Sequence, residues 1–347
     1  MKYLPKLKVC LKLIMLSTVI ISLLIFSGEI KGCITECAKM WALVLMPSLF
    51  PYLVFTKYIS ASKVINAFSL PQKIISSLFG ISRTSSGIYL CSLFSGYPTG
   101  AICATQAYKN GEITLAETER LICFTNNPSP VFLISAVGGC MLGSLKDGIA
   151  IYIIQTLSAA LWAMGSRKNN FSFQRHKKTD TLKTASFAEC VSDATDVILK
   201  IGGYVIVSAV IGEIILLWLG KFCLGSYYLN SAAIYFVLEI SNASKALSAF
   251  GNTDVVFALL CGCSAWGGVS VIMQIAAVSP KGVSVRKIVK ARIVQTVMSV
   301  SLGFVYRVLS DGSGYTQGSN LFWEISAVVC VVIFVIRKIL IYRPDGR

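Results

Sequence analysis

Three polar, helix-breaking strings interrupt apolar sequence, and their residue types suit ligand binding better than bond-making chemistry. They are Ser95-Gly96-Tyr97-Pro98-Thr99-Gly100, Phe124-Thr125-Asn126-Asn127-Pro128-Ser129-Pro130 and Trp266-Gly267-Gly268-Val269-Ser270. Glycine and proline end helices and free backbone N–H and C=O groups. Pro128 and Pro130 withhold two donors and end a helix near 127. At membrane depth, freed backbone groups are tolerated only where protein or a water-filled cavity satisfies them. Adjacent amides such as Asn126 and Asn127 are costly in lipid unless they face the protein interior. The simpler alternatives are helix kinks for the glycine strings and an extramembrane turn for the Asn-Pro string.

Further polar residues extend the candidate site. Glu213 stands in the apolar run Ile211–Trp218, where a carboxylate is a candidate coupling group for an ion or proton, unless it sits at the outer interface. Glu239, Asn242 and Lys245, spaced i, i+3 and i+6, either line a vestibule or cap and pair at an exposed helix end. Gln274, eight residues after Trp266, either points an amide into the same cavity or bonds a neighbouring helix.

Catalytic constellations are missing. His176 is the single histidine and lies in the basic string Gln174–Lys178; HExxH, GxSxG and Walker A motifs do not occur. The twelve cysteines form no CxxC pair, and the i, i+4 spacing of Cys33 and Cys37 suits neither a disulfide framework nor a zinc site. No enzyme activity, cofactor or metal is therefore expected.

The elements that must position these residues are membrane helices. The 347 residues are 55% hydrophobic and only 14% charged, with a mean hydropathy of +0.70. A soluble domain needs roughly 25% charged residues to wet its surface. The composition excludes a soluble globular protein and a disordered one, and implies an all-α, polytopic membrane protein with the lipid bilayer as partner.

Strong span candidates are 11–27, 38–56, 121–143, 147–165, 201–220, 288–308 and 321–341. Segments 85–104 and 255–278 are apolar but broken, and 227–240 is short. The first segment has a basic start like a signal peptide, but Ser27–Cys33 offers no small-x-small cleavage site, so an uncleaved helix is expected.

A net charge of +16 would suggest nucleic acid in a soluble protein. Here the cations cluster: Lys2 to Lys12, Arg167 to Lys183, Lys281 to Arg292, and Arg337 to Arg347. The positive-inside rule places all four clusters, and hence both termini, in the cytoplasm. An even number of crossings must then separate each cluster from the next. About eight crossings plus partial segments satisfy this if 85–104 enters and returns, with either 227–240 or 255–278 as the second return. The surplus orients the chain and implies no nucleic acid partner.

Residues 85–125 and 255–297 follow one plan. Each has an interrupted apolar segment, a glycine-containing link (Asn110-Gly111, Lys281-Gly282) and a helix bearing Arg120-Leu-Ile or Arg292-Ile-Val. Paired interrupted segments in two halves are the sequence signature of a transporter site.

These strings carry a family resemblance. Phe94–Ala101 resembles the SGYP-x-GA signature of the YlbJ-type (SpoVV) sporulation integral membrane proteins, whose chains carry nucleoside-recognition (Gate) domains. Phe124–Pro130 is similar to that family's FTNN-x-SP motif, Ala265–Val271 with Gln274 to its WGG-x-SV motif, and Leu238–Asn242 to its LE-x-[ST]N segment. The resemblance covers residues 38–308 in order. It departs at Ile272, where the family pattern has a histidine, which puts any proton or ligand role of that histidine in doubt.

The resemblance implies a transporter of dipicolinic acid, moving it from mother cell toward forespore across the outer forespore membrane. It also implies two Gate-like repeats. On this division, 1–36 is an N-terminal membrane helix and linker, 37–165 the first repeat and 166–185 a basic cytoplasmic loop. Residues 186–310 form the second repeat, and 311–347 a C-terminal membrane helix and basic tail. The expected substrate site comprises Ser95, Gly96, Tyr97, Pro98, Gly100, Thr125, Asn126, Asn127, Ser129, Asn242, Trp266, Gly267, Gly268, Ser270 and Gln274, with Glu213 and Glu239 as coupling candidates. In that picture half-helix N-termini and amides hold an anion, and Tyr97 or Trp266 faces its ring. A nucleoside or other small-metabolite permease and a non-transporting scaffold of spore assembly are the alternatives; homo-oligomerisation is left open.

Overall fold

A computed structural model describes residues 4–61, 69–167, 186–222 and 224–310. The C-terminal apolar segment, most of the basic loop after 165 and the C-terminal cation cluster lie outside the described residues. So do Lys2 and Lys63.

Every element among the described residues is helical. Helix α1 (Leu4–Ile25) meets α2 (Ser27–Met40) at a bend of 92°, so the stretch expected to be a linker is itself helix. A π-helical turn at Trp41–Leu45 carries α2 into α3 (Met46–Ala61). Then come α4 (Ser69–Phe79), α5 (Arg83–Ser95), α6 (Thr99–Lys109) and α7 (Leu115–Thr125). A π-helical segment, Phe132–Met141, leads to α8 (Leu145–Gly165) and the 35-residue α9 (Phe187–Lys221). The last elements are α10 (Tyr227–Leu238), α11 (Ile240–Ser248), α12 (Asp254–Trp266), α13 (Gly268–Val278) and α14 (Val285–Ser310).

Local chemistry sets these boundaries. Ser82, Thr114, Ser144, Ser186 and Thr253 each accept an N–H of the first turn that follows, and Ser186 with Glu189 completes a capping box. Left-handed glycines end the helices before the breaks: Gly96 at φ +74° after α5 and Gly267 at φ +76° after α12.

Among the described residues, four elements are long and apolar enough to cross a membrane: 145–165, 187–221, 254–278 and 285–310, with the bent pair 13–25 and 27–45 as a fifth. Segment 254–278, interrupted at Gly267, reaches spanning length, whereas α10 at 12 residues covers only about 18 Å. The protein is thus a multi-pass integral membrane protein. Segment 121–143 is not one helix but two pieces, α7 and the π segment, parted by the two prolines.

Both halves run helix–break–helix–link–helix, as α5-α6-α7 and α12-α13-α14. Their third helices carry the largest buried cations. Arg120 (9% exposed) donates to the Phe79, Gly80 and Ala163 carbonyls at the ends of α4 and α8. Arg292 (0% exposed) donates to the carbonyls of Ala265 and Asn126 at the ends of α12 and α7. Each guanidinium gathers helix C-termini, where the partial negative charge of the helix dipole concentrates. Arg292 therefore does not belong to the solvated cytoplasmic cluster in which its sequence position placed it. It stands seven residues into α14, about 10 Å deep, and a helix interior followed by apolar residues carries it into the protein.

Polar contacts close both ends of α14. Near its start, Glu119 accepts from the Ser284 N–H at 2.9 Å and pairs with Lys287. Twenty residues on, about 30 Å and one hydrocarbon thickness away, Arg307 pairs with Asp147 at 3.3 Å and bonds Asn252 at 2.6 Å. It also lies 4.2 Å over the Phe257 ring. Arg307 is largely buried, so Arg307→Ala is expected to cost about 2–3 kcal/mol, a little under the ~3–5 of a fully buried broken pair. Lys287→Ala, at an exposed site, is expected to cost under about 1 kcal/mol. Equal losses in detergent melting curves would refute this ordering.

Candidate functional site

Four chain breaks meet at the centre of the helical assembly. The first is Gly96–Pro98 between α5 and α6, with a cis Tyr97–Pro98 bond; the second is Asn126–Pro130 between α7 and the π segment. The third is Glu239 between α10 and α11, extended at φ −161°, and the fourth is Gly267–Gly268 between α12 and α13. They pack in pairs. A Cβ on Gly100 would fall 2.4 Å from the Thr125 carbonyl oxygen, so the start of α6 lies directly on the end of α7. A Cβ on Gly268 would fall 2.5 Å from the Leu238 carbonyl oxygen and 2.7 Å from the Glu239 nitrogen, so the fourth break is seated on the third.

Between the pairs lies a cavity of about 40 Å³. Its polar wall comes from all but one of the breaks: Ser95, Gly96 and Tyr97, then Pro128 and Ser129, then Glu239 and Ser241. Val271 and Gln274 reach it from α13. Leu45, Leu49 and Leu53, with Ile201 and Val205 of α9, supply an apolar wall. At roughly 10–15 Å³ per water centre the space holds about three waters, well short of the ~300 Å³ where small-molecule pockets begin. An organic ligand enters only if the breaks move apart.

Of the residues expected from sequence, Ser95, Gly96, Tyr97, Ser129, Glu239 and Gln274 line the cavity. Glu239 is 3% exposed, and its Oε2 accepts the Asn242 N–H at 2.9 Å, capping α11. Gln274 donates to Ser270 Oγ at 3.3 Å. Pro98 precedes α6, and Gly100 and Gly268 provide the close approaches described above.

Thr125, Asn126 and Asn127 are fully buried and do not line the cavity, and each has a donor bonded to a carbonyl. Thr125 donates to the Leu121 carbonyl, Asn126 to that of Ile122 at 2.8 Å and Asn127 to that of Phe124 at 3.1 Å. Asn126 Oδ1 accepts from the Ala101 N–H at 2.9 Å, and Asn127 Oδ1 from Gln155 at 2.8 Å. The amides brace the breaks.

Gly267 and Ser270 do not line the cavity, and Trp266, Asn242 and Glu213 also lie outside its lining. Trp266 donates to the Val237 carbonyl at 3.1 Å and caps α10. Asn242 faces α2, accepting from the Cys37 thiol. Glu213 accepts from the Tyr227 hydroxyl at 3.4 Å, on another part of α9.

A buried polar band passed unnoticed in the sequence. Arg292, Gln295 and Ser299, at i, i+3 and i+7, share one face of α14. Gln295 donates to the Cys123 carbonyl at 2.9 Å, and Ser299 bonds Ser158 of α8 at 2.7 Å. The legible signal was that helical spacing inside an apolar run; the cationic start of α14 masked it. Among the described residues no group of three or more His, Cys, Asp or Glu side chains could hold a metal ion.

The chain is similar to the sporulation integral membrane protein YlbJ of Bacillus subtilis (strain 168), with 23% identity over 201 residues, 51% of this chain and 49% of that protein. The match thus spans about half the length of that relative. No protein-family model matches the chain. No solved structure matches it.

Proposed function

We propose that this multi-pass membrane protein, a relative of the YlbJ-type sporulation integral membrane proteins, carries a small organic anion through the cavity where its chain breaks meet. By the resemblance of its motifs, that anion is dipicolinate, moved from mother cell toward forespore at the outer forespore membrane, with both termini in the cytoplasm. The observation that supports this most is the convergence of interrupted helices from two similarly ordered halves on one buried, partly polar space. Broken helices at the midplane are how secondary transporters expose backbone dipoles to a solute while keeping the rest of the backbone satisfied. The relative's name adds sporulation as the setting, and the two halves are read as Gate-like repeats.

The size of the cavity adds a mechanism. The described arrangement is too narrow for the anion, and on this reading the cycle widens it alternately toward each side. The contacts at the two ends of α14 lie where such opening would break them. Glu239 is the coupling candidate that lines the space.

Proteoliposomes carrying the purified protein are expected to take up labelled dipicolinate in preference to uridine. A strain lacking the gene is expected to form spores poor in dipicolinate while its mother cells still make it. Preference for uridine would favour a nucleoside permease. Normal spore dipicolinate with no uptake of either compound would leave the scaffold reading.

A further inference from the structure

We infer that Glu239 carries a proton while the anion occupies the cavity, so that the protein moves anion and proton together. This names the co-substrate of the transport reading and rests on that reading. Charge decides the question. Glu239 is the one charged side chain in the cavity lining, and it is buried. None of the ion pairs among the described residues includes it. A carboxylate in a membrane interior needs a positive partner or a proton. An anion arriving beside an ionised Glu239 meets a like charge in a very small space. At about 4 Å and an effective dielectric constant near 20, that repulsion is worth on the order of a thousandfold in affinity. A neutral carboxyl removes it.

The neutralising species is a proton. Hard metal cations take about six or more oxygen ligands, and here a single carboxylate shares the cavity with leucines and with Ile201 and Val205 of α9. The hydroxyls in the lining are already bonded to backbone: Ser95 donates to the Cys91 carbonyl at 2.7 Å, and Ser129 accepts the Phe132 N–H at 3.2 Å. A proton needs one oxygen only. The titratable neighbours of Glu239 are Tyr97 across the cavity, Cys263 of α12 and Cys37 of α2, which bonds Asn242. A phenol and two thiols are neutral at pH 7. Lys245, farther along α11, is exposed, and Arg292 of α14 bonds the ends of α7 and α12 instead.

The same residue holds the third break together. Its N–H donates to the Tyr235 carbonyl at 2.8 Å and ends α10; its carbonyl accepts the Ala243 N–H at 3.0 Å and opens α11. Its carboxylate caps α11 through the Asn242 N–H, and Gly268 is seated on its nitrogen. A charged acceptor at a helix N-terminus gains from the dipole and from a charge-assisted bond, so a neutral carboxyl holds the cap more weakly. Protonation therefore admits the anion and loosens the joint on which α13 rests. Glu213 has neither property, being off the cavity and bonded to Tyr227.

The test uses the full-length protein in proteoliposomes, with labelled dipicolinate and the membrane potential held at zero. With one proton per anion, an inward gradient of about one pH unit is expected to drive about tenfold accumulation. Glu239→Gln, fixed in the neutral form, is expected to lose that accumulation, while exchange of labelled for unlabelled dipicolinate remains measurable. Glu239→Asp keeps an ionisable cap; it is expected to retain accumulation and to move the pH of half-maximal uptake downward. That variant reads the proton site even if Glu239→Gln fails to fold. Glu213→Gln is expected to stay gradient-driven. Wild-type uptake that ignores the proton gradient, or follows a sodium gradient instead, would overturn the inference and leave the transport reading standing. So would accumulation that persists in Glu239→Gln, an unmoved pH midpoint in Glu239→Asp, or accumulation lost in Glu213→Gln alone. Wild-type protein that neither takes up nor exchanges dipicolinate would defeat both readings.

Discussion

Gly268→Ala is expected to abolish the assembled site. Gly268 has φ +88°, which an L side chain rarely adopts. The new Cβ would also meet two backbone atoms, the Leu238 carbonyl oxygen at 2.5 Å and the Glu239 nitrogen at 2.7 Å. Backbone cannot rotate away as a side chain can, so α13 must lift from the α10–α11 break. Strain and overpacking together are expected to cost about 3–5 kcal/mol, enough to exhaust the margin of most folds. Gly203→Ala in α9 is the control, because nothing lies within 4 Å of its Cβ position. It is expected to be neutral or slightly stabilising through helix propensity. Both are read as melting temperature and monodispersity in detergent. A Gly268→Ala protein that melts with the Gly203→Ala protein would show that the two breaks do not touch.

Asn126→Ala is the second large effect, and its cause is hydrogen bonding. Asn126 is fully buried, and its side chain joins the Ala101 N–H of α6 to the Ile122 carbonyl of α7. Truncation strands the α6 N–H and opens a void beside Gly100. At about 1–3 kcal/mol for each buried group left unpaired, the loss is expected to reach about 2–4 kcal/mol. Transport should fall because α6 and α7 part, so the folded fraction should fall with it. Asn126→Asp keeps the acceptor for the Ala101 N–H but forfeits the donor and adds a buried charge. It too is expected to destabilise. A well-folded Asn126→Ala protein with a large loss of dipicolinate affinity alone would instead make this amide a direct ligand.

These two residues show what could be read from the chain and what could not. The Asn-Pro string announced a broken helix because proline has no N–H and crowds the preceding turn; the structure ends α7 at Thr125, within two residues of that expectation. The membrane class was equally legible, since too few charges exist to wet a soluble surface. Broken helices in two halves could also be read, because glycine and proline act on their own local backbone.

Partners were another matter. Adjacent amides in an apolar run must be satisfied, but sequence does not say by whom. Asn126 turned to Ala101 and Ile122, and Trp266 to Val237, because packing brought those carbonyls and N–H groups within 3.1 Å. Arg292 illustrates the limit most clearly. In the chain it follows Lys281, Arg286, Lys287 and Lys290, and reads as one more cytoplasmic cation. Among the described residues it is the largest fully buried side chain, joining the ends of α7 and α12.

The sequence by itself determined that this is a multi-pass helical membrane protein with breaks near 96–98, 126–130 and 267–268, because hydropathy and backbone conformation are local properties. Only the tertiary structure decided which breaks touch, which groups the amides bond, and which cation is buried among the helix ends. Those depend on side chains and backbone of separate helices meeting, from Asn126 and Ala101, 25 positions apart, to Arg292 and Asn126, 166 apart.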